Sequence, residues 1–172
     1  MVAGDNTEHS MIMPMANWPD VVAPLIKAVN TDVFAQILFE SINRIAPIDS
    51  AIVMQFRVDE KPTLLYDGLH PSETESFEES YMAGAYLLSP LYRRFQQMRS
   101  GFYRLENLEP ASFERSEFGI AYFNDSGLCD EANFLLRLGD DSAIVACFGR
   151  QQLNTPFSAT ELQQLHIAEP VF

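Results

Sequence analysis

The stretch from Tyr81 to Glu131, YMAGAYLLSPLYRRFQQMRSGFYRLENLEPASFERSEFGIAYFNDSGLCDE, restricts the fold more than any other part of the chain. It carries Tyr81, Tyr86, Tyr92, Phe95, Phe102, Tyr103, Tyr122 and Phe123, where a plain linker would use small polar residues. Rings at helical spacing, interrupted by one short strand, cannot stay in water. They must fold down onto a sheet. Two outcomes fit this pattern: a wall with a small-molecule cavity beneath it, or rings that simply fill a core.

The rest of the chain supplies the sheet. Asp20 is positioned to cap a helix through Val21, Leu25 and Val29, with Pro24 in its first turn. After Asn30-Thr31-Asp32, a second helix follows from Val33, Phe34, Ile37, Leu38, Ser41, Ile42 and Ile45, ending before Pro47. Residues 51–58 (AIVMQFRV) and 63–69 read as strands joined by a polar turn. Ser72 with Glu75 has capping-box spacing for a helix reaching Gly84. Pro90 suits the first position of the next helix, which Gly101 ends. Residues 102–108 form a short strand, and Ser112 is expected to cap a helix over 113–123. Residues 131–138 and 142–150 pair across Gly139-Asp140-Asp141. Ser158 and Glu161 form a second capping box at the last helix.

This order predicts an α+β fold, with a central five-stranded antiparallel sheet and helices on both faces. It is the layout of GAF and PAS sensors. Residues 1–16 read as a flexible tail and 17–172 as the sensor domain. The chain stops on Val171-Phe172, two apolar residues where polar, mobile ones are usual, which suggests a longer protein.

Charge and motif content exclude several functions. With 24 acidic and 11 basic residues the net charge is −13, a field that repels phosphate backbones and anionic membranes. No run approaches 18 apolar residues, so no membrane span or membrane partner is expected. The N-terminal residues lack the basic start and apolar run of an export signal, which points to the cytoplasm. Cys129 and Cys147 have no CxxC spacing and read as free thiols. His9, His70 and His166 are scattered, without metal-ligand spacing, so no metal is expected. No phosphate-binding glycine loop or nucleophile elbow occurs, and Cys129 beside Asp130 lacks an activating base. Neither an enzyme nor a bound cofactor is therefore expected.

A set of short motifs in fixed order adds a resemblance. These are Tyr86-Leu87-Leu88-Ser89-Pro90-Leu91-Tyr92, then residues 101–108 (GFYRLENL), 113–118 (FERSEF), 127–131 (GLCDE) and 157–162 (FSATEL). Over residues 18–172 the chain resembles the GAF-like or PAS-like N-terminal domain of bacterial LuxR-type helix-turn-helix transcriptional regulators. Ser89 and Asn107 stand where that family commonly has acidic residues. The resemblance implies a small-molecule effector, a homodimer, and DNA contact only through helices beyond Phe172. The alternatives are a ligand-free dimerisation module and a small enzyme of unrecognised type. The apolar stripes of the first and last helices, with Leu162, Leu165, Val171 and Phe172, would form the dimer seam.

If the wall covers one sheet face, Tyr86, Tyr92, Phe102 and Tyr122 line the cavity. Met54 and Phe56, on one strand face by the two-residue period, make its floor. Asp130 or Glu131 is the polar anchor, with Glu117 a further candidate. A basic amine and a planar or acyl body both suit this set, while Arg93, Arg94, Arg104 and Arg137 could equally meet a carboxylate.

Overall fold

A computed structural model describes residues 18–108 and 113–171, and the expected N-terminal tail lies outside them. The five expected strands are present: β1 Ser50–Arg57, β2 Thr63–Gly68, β3 Gly101–Arg104, β4 Leu128–Arg137 and β5 Ser142–Gln151. They form one antiparallel sheet in the order β2-β1-β5-β4-β3. Its central strands β1 and β5 are buried on both sides, which suits their branched, apolar sequences.

Alternation along these strands divides the core in two. One face carries Ala51, Val53, Ala132, Phe134, Ala146 and Phe148 and is covered by helices α1 (Trp18–Ala28), α2 (Phe34–Ile45) and α6 (Ala159–Ala168). The other carries Ile52, Met54, Phe56, Leu135, Val145 and Cys147 and is covered by the ring-rich wall. The expected α+β architecture, helices on both faces of five antiparallel strands, is what the chain adopts.

The first helix differs in detail. It starts at Trp18, so Pro24 sits inside it rather than in its first turn. A proline there leaves the carbonyl four residues earlier without its helical donor. Here that carbonyl belongs to Asp20, and Arg44 Nη1 of α2 donates to it at 3.3 Å. The helix pair thus absorbs the defect that the proline creates.

The wall is more irregular than expected. Ser72 does not cap; its Oγ donates to Gln151 Oε1 at 2.9 Å and meets His70 Nδ1 at 2.8 Å. The helix begins instead with a short turn, α3 (Thr74–Ser76), that widens into a π-helical turn over Phe77–Tyr81. Gly84, at φ 155°, breaks it before a 3-10 turn at Ala85–Leu88. Pro90 opens α4 (Pro90–Gln96) as expected, with Ser89 Oγ accepting from the Leu91 amide. The strand expected over 102–108 is shorter, giving way to a 3-10 turn at Leu105–Leu108. Ser112 lies outside the described residues; Ser116 caps α5 (Glu117–Ala121), accepting from Gly119 N at 3.0 Å.

At the C-terminal end, Ser158 and Glu161 make the expected reciprocal capping box on α6. Glu161 also meets Arg150 of β5, with Nη2–Oε1 at 2.6 Å. Arg150 further donates to the carbonyls of Pro47, Thr155 and Pro156, and its guanidinium lies 4.2 Å from the Phe157 ring centre. An arginine's planar fork suits this multidonor, buried setting.

Candidate functional site

Between the sheet and the wall lie two small connected-in-composition voids of about 10 and 20 Å³, each just large enough for a water. The first is lined by Ile52, Met54, Phe77, Tyr81, Tyr122 and Glu131, among others, and the second by Ser50, Glu73, Tyr122 and Glu131. Cys147 borders both. The elements explain why these groups converge. Ser50, Ile52 and Met54 alternate along β1, Cys147 pairs with Ile52 across β5, and the π-helical turn brings Phe77 and Tyr81 down from above.

Of the nine residues expected at the site, Met54, Tyr122 and Glu131 come together here. Phe56 and Tyr92 lie deeper in the same core, with ring centres 5.3 Å apart and Phe95 packed edge-on against Phe56. Tyr86 packs on Tyr81 and Tyr92 from the outer side of the cluster. Phe102 is on the opposite face, against Phe134 and His166, because β3 pairs in a register that turns Tyr103 toward the wall. Glu117 is exposed at the start of α5. These positions correct the expected lining at Phe102 and Glu117.

Asp130 and Glu131 also separate. Asp130 is 3% exposed and lies on the helical face. Its carboxylate accepts from Arg104 Nε at 2.9 and 3.1 Å, from Phe157 N at 2.8 Å and from Glu131 N at 2.9 Å. A carboxylate so well supplied with donors is a structural anchor for the segment entering α6. Asp130 thus braces this segment and does not reach the voids, which Glu131 borders; both residues also line an outer groove with Arg104 and Arg115.

The cavity holds two carboxyl groups and, in its lining, no Lys, Arg or His. Burial pushes Glu131 up to about 7; the Asn133 amide opposes this, while the charges of Glu73 and Asp130 add to it. Glu73 is likewise pushed up to about 7 by burial, against the Ser50 hydroxyl that donates to it at 3.0 Å, with Asp49 adding to the rise. Gln151 Nε2 donates to its other oxygen. Burial also raises the Tyr81 and Tyr122 hydroxyls and the Cys147 thiol well above their ordinary ranges, so the thiol stays neutral and unreactive. Among the described residues, no group of three or more His, Cys, Asp or Glu is arranged to hold a metal.

These raised carboxyls bind protons more tightly folded than unfolded. Their contribution to stability is complete below the ordinary value of 4.5 and is lost as pH rises through 7. Stability is therefore expected to fall between pH 4.5 and 7, and Glu131→Gln to flatten that slope and raise stability at pH 8 by roughly 2–3 kcal/mol. Urea titrations of both proteins at pH 5 and 8 check this; parallel slopes would show that Glu131 is not held neutral.

Glu73, Tyr81 and Cys147 were missed by sequence reasoning. Cys147 had a usable signal, since β5 alternates and places it beside Val145 on the cavity face. Glu73 had none: it adjoins the misread Ser72 cap, and its burial depends on Ser50 and Gln151, distant in sequence.

No family profile matches the chain, and no curated protein does. Solved structures do. The VqsR LBD domain from Pseudomonas aeruginosa aligns over 89% of this chain and 90% of its own, at 22% identity and a TM-score of 0.72. The chain has that fold. CepR2 from Burkholderia cenocepacia, an N-acylhomoserine lactone dependent LuxR family transcription factor, aligns over 88% of this chain and 86% of its own, at 18% identity and a TM-score of 0.58. The likeness that the ordered motifs implied thus holds for the fold, across nearly the whole length of both chains.

Proposed function

We propose that this domain is the small-molecule-sensing unit of a bacterial LuxR-type transcriptional regulator. A ligand seated between the sheet and the aromatic wall shifts the state of an attached helix-turn-helix domain. One observation carries this reading: polar groups collect around a cavity inside an otherwise apolar core. Tyr81 and Tyr122, each 5% exposed, turn their rings and hydroxyls into this region, and beside Glu131 the fully buried Asn133 Oδ1 has no hydrogen-bond partner among the described residues. Buried polar groups normally find partners, so an unpaired oxygen next to a buried carboxyl and two small voids fits a site for a ligand that pairs with it. The shared fold with the VqsR LBD domain supports the reading. The proposal includes a cytoplasmic location and DNA contact made only through a separate domain.

Homodimerisation belongs to the same proposal. Leu165 is fully buried and is not available as a seam residue; Leu162 is partly buried against the core. The side chains of Val171 and Phe172 lie outside what is described. Exposed apolar residues instead sit at Ile26, Val29 and Val33 around the α1–α2 corner and at Ile167 on α6.

The voids are small enough to favour a second reading, a sensor fold that retains dimerisation without a ligand. A thermal-shift screen separates the two, because a molecule that binds only the native state stabilises it. At a hundredfold excess over Kd the gain is about 2.7 kcal/mol. An upward shift that Tyr122→Phe diminishes supports sensing. No shift across lactones, amines and acids, with a dimer in sedimentation, establishes the ligand-free module.

A further inference from the structure

We infer that the molecule sensed is a small organic cation, its ammonium group seated in the cavity bordered by Glu73 and Glu131. This rests on reading that cavity as the ligand site. Both carboxyls border the same void, and its lining offers no positive side chain to neutralise them. Glu73 is partnered by Ser50 and Gln151, whereas Glu131 has only the Asn133 amide. Tyr122 and Cys147, both more than nine-tenths buried, line the two voids, and Asn133 beside Glu131 is fully buried with its Oδ1 left without a hydrogen-bond partner among the described residues.

The chemistry of these groups discriminates between ligand classes. An anion would enter against two acidic groups in a protein of net charge −13. A neutral carbonyl compound would bind by accepting a hydrogen bond from a protonated carboxyl, a tyrosine or the Ser89 hydroxyl, and would leave any ionised carboxylate unanswered. An ammonium group brings up to three donors and a charge, which answers the carboxylates and the tyrosine oxygen together. Its apolar body would meet Ile52, Met54, Phe77 and Leu91. The covering turn Phe77–Tyr81 is π-helical, a form often found at functional sites, and Gly84 follows it in a conformation that ordinary side chains rarely adopt. Entry must displace this part of the wall, since the voids as they stand hold only water.

The groups facing Glu131 set the sign of the pH dependence. They are Asn133 on its own strand, Cys147 of β5, Tyr81 and Tyr122 of the wall, and the acidic Glu73 and Asp130. On its outer side Glu131 also borders a groove with Arg104 and Arg115, of which Arg104 is engaged by Asp130 and Glu106. A cation takes the ionised carboxylates, so its binding expels protons and tightens as pH rises. A neutral acceptor takes the protonated acids and weakens over the same range.

The test uses paired probes: 2-phenylethylamine and hexylamine, their neutral counterparts 2-phenylethanol and hexanol, and N-hexanoyl homoserine lactone. Binding is followed by calorimetry at pH 6.5 and 8. The amines are expected to bind more tightly at pH 8 than at 6.5 and more tightly than the alcohols. Glu131→Gln, isosteric and neutral, is expected to weaken the amines by about tenfold or more while the free domain stays folded. Tyr122→Phe is expected to weaken them less. If the lactone or the alcohols bind better than the amines, or amine affinity is unchanged in Glu131→Gln, the cation assignment is overturned while the cavity remains the site. If no probe binds at either pH, both the assignment and the sensing reading fail.

Discussion

Glu161→Ala should destabilise the domain by about 3–5 kcal/mol, because it strands the Arg150 guanidinium inside the protein. Arg150 and Glu161 are 6% and 8% exposed, and the capping box on α6 depends on the same carboxylate. The salt-bridging hydrogen bonds hold Glu161 below the usual carboxylate range, although burial, the largest single influence, pushes the other way. Its contribution is present above the ordinary carboxylate value and lost as pH falls through the lowered one, opposite in sign to that of Glu73 and Glu131. For a domain of this size the loss corresponds to a drop in Tm of roughly 6–20 °C. The double variant Arg150→Met/Glu161→Leu is expected to recover much of it, since replacing both partners with apolar groups leaves no unpaired charge. Equal losses in the single and double variants would mean that packing, and not the charge pair, fixes α6.

Phe56→Ala is the second large effect, with an expected loss of about 3–5 kcal/mol. Phe56 is fully buried at the meeting point of Tyr92 and Phe95, both packed near edge-to-face on it. Such pairs add to the transfer free energy of the ring, and rigid strand neighbours limit collapse into the space left behind. Chemical denaturation measures it. A loss below about 1 kcal/mol would mean the ring borders open volume, as a floor residue of a cavity would.

The contrast between Phe56 and Met54 shows what was legible in the sequence. Two-residue alternation placed both on one face, correctly, and hairpin turns gave the strands and their antiparallel pairing. Helix signals that rest on local chemistry were equally readable: Pro90 at the start of α4 and the Ser158–Glu161 box on α6. Signals that depend on distant partners were not. Ser72 has a capping sequence, yet Gln151, 79 residues away, takes its hydroxyl. Whether Phe102 or Tyr103 faces the wall is set by pairing with Phe134 and Asn133, a register that no local pattern encodes. Aromatic spacing predicted a wall, but rings pack a core and line a cavity with the same periodicity. The difference lies in volumes of a few tens of cubic ångströms.

The irregularity at the start of β4 has a consequence for how the two halves of the core communicate. Register shifts between Leu128 and Asp130, so that Leu128 and Glu131, three residues apart, share the cavity face. Asp130 is left on the other side, holding the chain just before α6 through the Phe157 amide, while the Glu131 amide donates to Asp130 itself. A single peptide unit therefore links the carboxyl that borders the voids on one side of the sheet to the clasp that holds the chain entering the last helix on the other.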